Sequence, residues 1–180
     1  MIEPTSMASS LMGSVNGLTS HIGSVDLLWN AVCNYVEINA TVVCTWLAFS
    51  PSTPPTPDPL NGPVSCSVLT TAGRTLSLVG LDQVTSAAAA LSLLSTAMNL
   101  AVQGWQALLP VTQGFLTSPG VVIPLSSTIL LTPSMSSDRF SAFEHMATEI
   151  IRGLGTVSFT PTAGTHLAYT GGGSFIPGIH

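Results

Sequence analysis

From Ser86 to Leu109 the chain reads SAAAALSLLSTAMNLAVQGWQALL, twenty-four residues without one charged side chain. Such a stretch either crosses a bilayer, for which about 20 apolar residues suffice, or buries one face inside protein. Spacing separates the two. Ser92, Ser95, Thr96, Asn99, Gln103 and Gln106 gather on one helical stripe, and Leu91, Leu94, Met98, Val102, Trp105 and Leu109 gather on the other side. Amide side chains are costly in hydrocarbon, and no basic residue stands beside the stretch to set an orientation. The pattern predicts an amphipathic helix over 82–109 with an uncharged polar face, opened by Asp82 as N-cap and closed before Pro110.

The same scarcity of charge runs through all 180 residues. Only 6% are Asp, Glu, Lys or Arg, against roughly 25% in an ordinary soluble domain. There is no lysine, the arginines are Arg74, Arg139 and Arg152, and polarity comes from 23 serines and 21 threonines. Phosphate binding needs clustered basic side chains, so three scattered arginines at a net charge of −5 exclude a direct nucleic-acid partner. Anionic membrane surfaces are disfavoured on the same ground. Solubility normally relies on interspersed surface charge, so a surface this neutral implies cover, by lipid or by other subunits.

Val25, Leu28, Val32, Tyr35, Asn39, Val42, Trp46 and Phe49 alternate steps of three and four, with Trp29, Val36 and Val43 widening the stripe. This predicts a helix over Ser24–Phe49 with a polar Asn39 in its seam. A competing reading ends the helix near Asn39 and makes TVVCTWLAF a strand, because that segment is β-branched and aromatic. Residues 1–20 read as a loose arm or weak helix. Six of the thirteen prolines fall in Pro51–Pro63, an extended connector. Val64–Gly80 alternates apolar residues with serine on both sides of TAGR, the pattern of a β-hairpin. Gly120–Pro133 predicts short strands broken at Pro124. Ser136 or Ser137 caps a third helix whose stripe is Phe140, Phe143, Ala147, Ile150, Ile151 and Leu154. TVSFTP predicts a strand, and the glycine-rich end reads as an arm lying on something else.

Chemistry is thinly provided for. Cys33, Cys44 and Cys66 form no CxxC pair, so buried free thiols are expected rather than a zinc site or disulfide framework. His145 and Glu149, four apart beside Glu144, could place two metal ligands on one helical face; an ordinary i,i+4 pair explains them as well. No GxSxG nucleophile turn occurs. Gly171–Gly173 lacks the GK[ST] of a phosphate cradle. No cofactor, metal or catalytic residue is assigned, and the chain does not read as an enzyme.

The connector PSTPPTPDPLNGP and the tail TAGTHLAYTGGGSFIPGIH flank compact segments, and in general character the sequence resembles small structural proteins of bacteriophage particles. The resemblance implies self-association, contacts with other virion structural proteins, and a virion location after assembly in the host cytoplasm. The expected fold is α+β: three helices, a β-hairpin and short strands in one domain over 1–161, with an extended arm over 162–180. Val25, Trp29, Val32, Val36, Val43, Leu94, Met98 and Trp105 are the expected self-association residues. A membrane-associated hairpin of helices 24–49 and 86–109 is the alternative.

Overall fold

Helix α2 (His21–Asn39) stops where the sequence turns β-branched, and strand β1 (Thr41–Leu47) follows after one residue, Ala40. The expected helix over Ser24–Phe49 is thereby corrected in favour of the competing helix-then-strand reading. Asn39 marks the end: its Nδ2 donates to the Tyr35 carbonyl at 2.9 Å, and the Ala40 N–H closes the last turn on Val36 at 2.8 Å. Thr41, Val42, Val43 and Thr45 are stiff at χ1 and suit a pleated strand better than a helix. Strand β1 is paired on both edges, so ladder formation outweighs the continuing heptad pattern.

The computed structural model describes residues 2–15, 21–47, 62–108, 121–161 and 170–176. The fold is α+β. Besides α2 the helices are α1 (Pro4–Ser14), α3 (Ala87–Val102) and α4 (Arg139–Leu154); the further strands are β2 (Gly62–Leu69), β3 (Gln106–Leu108), β4 (Val121–Ser126), β5 (Ser158–Pro161) and β6 (Thr170–Ile176). The six strands close into a barrel in chain order, every pair antiparallel. Val43 stands opposite Ser65 on one side and Ser174 on the other, which joins the last strand to the first. Full closure leaves no open sheet edge. Because the strands alternate direction, α2, α3 and α4 all enter or leave the barrel at one end. The β4–β5 register shifts between Pro124 and Ser126, as a residue without an N–H demands.

Three further expectations are corrected. The tail is not wholly an arm on a neighbour, since Thr170–Ile176 is β6 and pairs with β1 and β5 of its own chain. The hairpin over Val64–Gly80 does not form: β2 pairs instead with β1 and β3, and Thr71–Gly73 and Leu81–Gln83 are 3-10 turns. The helix expected over 82–109 is shorter. Ser86, not Asp82, caps α3 by accepting from the Ala89 N–H, and the helix ends at Val102, after which β3 begins at Gln106. The N-terminal stretch supplies a fourth helix, with Pro4 in its first turn, where the missing N–H costs nothing. Residues 51–61 of the proline-rich connector lie outside the described residues; Gly62 and Pro63 open β2.

The core lies among the four helices and the near end of the barrel. Met7 and Leu11 of α1, Trp29 and Val36 of α2, Met98 and Val102 of α3, and Ile150 and Leu154 of α4 meet there with Trp105. Trp29 and Trp105 stack with centroids 5.6 Å apart, and the Trp29 Nε1–H donates to the Gly73 carbonyl at 2.6 Å. An indole in a core needs such an acceptor.

Candidate functional site

The segment 127–132, between β4 and α4, runs as an extended strap across α3 and α4 and joins no strand ladder. Its alternation is that of a strand: Ile129 and Leu131 are buried, and Thr128, Leu130 and Thr132 are exposed. Side chains replace a neighbouring strand. Asn99 accepts the Ile129 N–H on Oδ1 and donates Nδ2–H to the Ile129 carbonyl, both at 2.9 Å. Ser95, one turn earlier on α3, accepts the Leu131 N–H at 2.9 Å. On the other edge Thr156 accepts the Thr128 N–H at 3.0 Å, and Glu149 accepts the Thr132 N–H at 2.7 Å. The uncharged polar face expected on α3 therefore has an intramolecular use, because an i,i+4 pair of Ser and Asn satisfies a buried backbone.

Glu149 is 5% exposed. One oxygen accepts the Thr132 N–H, and the other accepts the Thr132 hydroxyl at 2.5 Å, with His145 Nε2 3.4 Å away. His145 Nε2 is also 3.1 Å from Thr132 Oγ1. A nucleophile relay needs the acid on the ring nitrogen far from the hydroxyl. Here both groups address Nε2, and the Thr132 hydroxyl donates its hydrogen bond to the carboxylate directly. The arrangement ties the strap to α4 and forms no relay. No group of three His, Cys, Asp or Glu able to hold a metal occurs among the described residues.

A second polar cluster ties α2 to the 3-10 turn at Thr71–Gly73. Glu37 accepts the Thr70 N–H and hydroxyl at 2.8 and 2.6 Å and pairs with Arg74 at 2.6 Å. Arg74 also donates to Asn34 Oδ1 at 2.7 Å. Burial pushes the Glu37 carboxyl up, but the Thr70 donors and the Arg74 guanidinium outweigh it and hold it below the usual glutamate range. Cys33, beneath this cluster, is fully buried, and burial pushes its thiol up to about 11, far from a reactive thiolate.

The third feature is a groove of about 540 Å³ between α1 and α2, lined by Ser6, Ser10 and Ser14 on one wall and Ala31, Asn34 and Ile38 on the other. Ile38 stands at its side 81% exposed. No charged residue lines it.

The expected self-association residues fall largely elsewhere. Trp29, Val32, Val36, Met98 and Trp105 are buried within one chain, and Val25 and Leu94 pack half-buried against the same core. Val43 lies in β1 with its side chain outside the described residues. The apolar stripes were legible, but their cover comes from the chain's own helices. The five buried side chains therefore offer little surface to a second folded copy. Thr132, Asn99 and Ser95 were not expected as a set, because they meet only in the tertiary fold.

Searches of family models, curated proteins and solved structures found no match to this chain. No helix among the described residues is long and apolar enough to cross a membrane.

Proposed function

We propose that this chain is a non-enzymatic assembly protein, one copy in a symmetric oligomer of a bacteriophage particle, in a capsid-associated, connector or tail position. The phage context rests on the sequence character alone. The observation that carries the assembly reading is the nature of the exposed surface. Ile38, Val79, Leu130 and Met135 stand 81%, 86%, 65% and 99% exposed on a chain with eleven charged residues, three basic and eight acidic. Several of those charges are spent internally: Glu37 on Arg74 and Thr70, and Glu149 on Thr132. A surface that combines exposed large apolar side chains with so few charges suits cover by other subunits. Symmetric repetition of one such surface is the commonest way to cover it.

Light-scattering mass after size exclusion, on protein purified without and then with detergent, tests the reading. A defined oligomer in plain buffer is expected. Recovery only in detergent overturns it in favour of a membrane-associated protein.

A further inference from the structure

We infer that Cys44 and Cys66 make a two-thiol site, on the covered face of the barrel wall, for a soft, two-coordinate metal ion of the copper(I) class. This site is independent of the assembly reading. Strands β1 and β2 pair with Val42 opposite Cys66 and Cys44 opposite Val64. Residues alternate between the two faces along a strand, so Cys44 and Cys66 share one face of neighbouring strands, a single register step apart. Val68, two residues further along β2, and its β3 partner Ala107 lie on that same face. Both are buried, which makes it the covered face. On its other edge Cys44 stands opposite Gly173 of β6, a residue that brings no side chain to that step of the ladder.

The residue types select the ion. None of the six strands contains Asp, Glu, His or Met, so the two cysteines are the only strong metal ligands in those strands. Calcium and magnesium require oxygen ligands, and structural zinc takes four nitrogen or sulfur ligands. Thiolates favour soft ions such as copper(I), for which two ligands suffice. Spacing separates a bridged ion from a direct disulfide. Diagonal neighbours on one face of an antiparallel pair lie about 7–8 Å apart, beyond the roughly 4.4–6.8 Å between the Cα atoms of a disulfide. An ion between the sulfurs inserts two bonds of about 2.3 Å, the length of a zinc–thiolate bond, and closes that gap without moving either strand. Binding releases both thiol protons: copper(I) and two thiols give a bis-thiolate complex of single negative charge. Cys33 lies apart from the pair, on α2 against Thr70. Thr70 is four residues along from Cys66, about 13 Å of extended chain.

Copper(I) supplied anaerobically to the full chain, in competition with the chelator bicinchoninate, tests the site. The ion is added to folded protein and, in parallel, during refolding from urea, because metal binding couples to folding. Wild type should take up a single copper(I) per chain. Cys44→Ser and Cys66→Ser should each lose that uptake, while Cys33→Ala keeps it. Circular dichroism melts without metal establish that each variant is folded. Copper K-edge absorption on loaded wild type needs no variant, and it should show a pair of sulfur neighbours with no nitrogen or oxygen. Wild type that leaves all the copper with the chelator overturns the site, as does uptake that survives both serine substitutions. Uptake lost in folded Cys33→Ala, or a third ligand in the absorption spectrum, overturns the two-thiol arrangement.

Discussion

Glu149 holds Thr132 with both carboxylate oxygens, one on the backbone N–H at 2.7 Å and one on the hydroxyl at 2.5 Å, although seventeen residues separate them in the chain. The strap 127–132 is thus pinned to α4 at one end, and Asn99 and Ser95 pin it to α3 along its length. Hydrogen bonds to an ionised group are worth about 1.5–3 kcal/mol, and an orphaned buried partner costs a similar amount. Glu149→Ala should destabilise the protein by about 3 kcal/mol, while Thr132→Val, which removes only the hydroxyl, should cost about 1 kcal/mol. Urea unfolding measures both. Equal losses would show that the backbone bond contributes nothing.

Two glycines in helices should respond to alanine with opposite signs. A Cβ on Gly153 of α4 would lie 2.5 Å from the Ile129 Cα and Cγ1, whereas one on Gly13 of α1 meets nothing within 4 Å. Alanine gains up to about 1 kcal/mol over glycine inside a helix. Overpacking a dense core costs about 1–3 kcal/mol or more, and at Gly153 the clash involves the strap backbone, which cannot simply rotate away. Gly153→Ala should therefore lower the melting temperature and Gly13→Ala should leave it unchanged or raise it. A stabilised Gly153→Ala protein would mean that the strap yields freely.

The stacked Trp29–Trp105 pair gives a spectroscopic handle on the core. Trp29→Phe keeps most of the buried area but removes the 2.6 Å donation to the Gly73 carbonyl, at a cost of about 1–3 kcal/mol. It should also abolish the near-ultraviolet circular dichroism that arises from the paired indoles. Trp29→Asp and Val36→Asp should prevent folding outright, because both side chains are fully buried within one chain. Soluble, folded but unassembled Val36→Asp protein would contradict that placement.

Acid should loosen the link between α2 and the turn at Thr71–Gly73. Glu37 sits below its usual range because the Thr70 donors and Arg74 outweigh its burial. Asp138 is held low by the Ser141 amide and hydroxyl at the start of α4. A carboxyl whose pKa is depressed by folding stabilises the fold above its unfolded value, and that stabilisation is lost as pH falls through the folded value. The urea midpoint should fall once pH drops below the ordinary carboxylate range of about 4. Glu37→Gln should make the acid limb shallower. An identical limb in that variant would remove Glu37 from its origin.

Periodicity placed the buried stripe of the third predicted helix, and α4 buries Ala147, Ile150, Ile151 and Leu154, but its cap is Asp138 rather than Ser136 or Ser137. It also marked Trp29, Val32, Val36, Met98 and Trp105 as apolar faces, since an amphipathic pattern is a property of local spacing. The break at Ala40 was visible only as a competing reading. Helix and strand patterns overlap in VVCTWLAF, and pairing with distant β2 and β6 decides between them. Asp82 was the expected cap of α3, and Ser86, four residues later, caps it instead.

What the sequence determined by itself was therefore one-dimensional: which segments are amphipathic, where proline and glycine interrupt them, and how few charges the chain carries. What only the tertiary structure decided was which faces are covered and by what. The glycine-rich tail supplies the strand that closes the barrel, and the neutral face of α3 holds a strap. Each depends on contacts between residues far apart in the chain, whose closure no local spacing records.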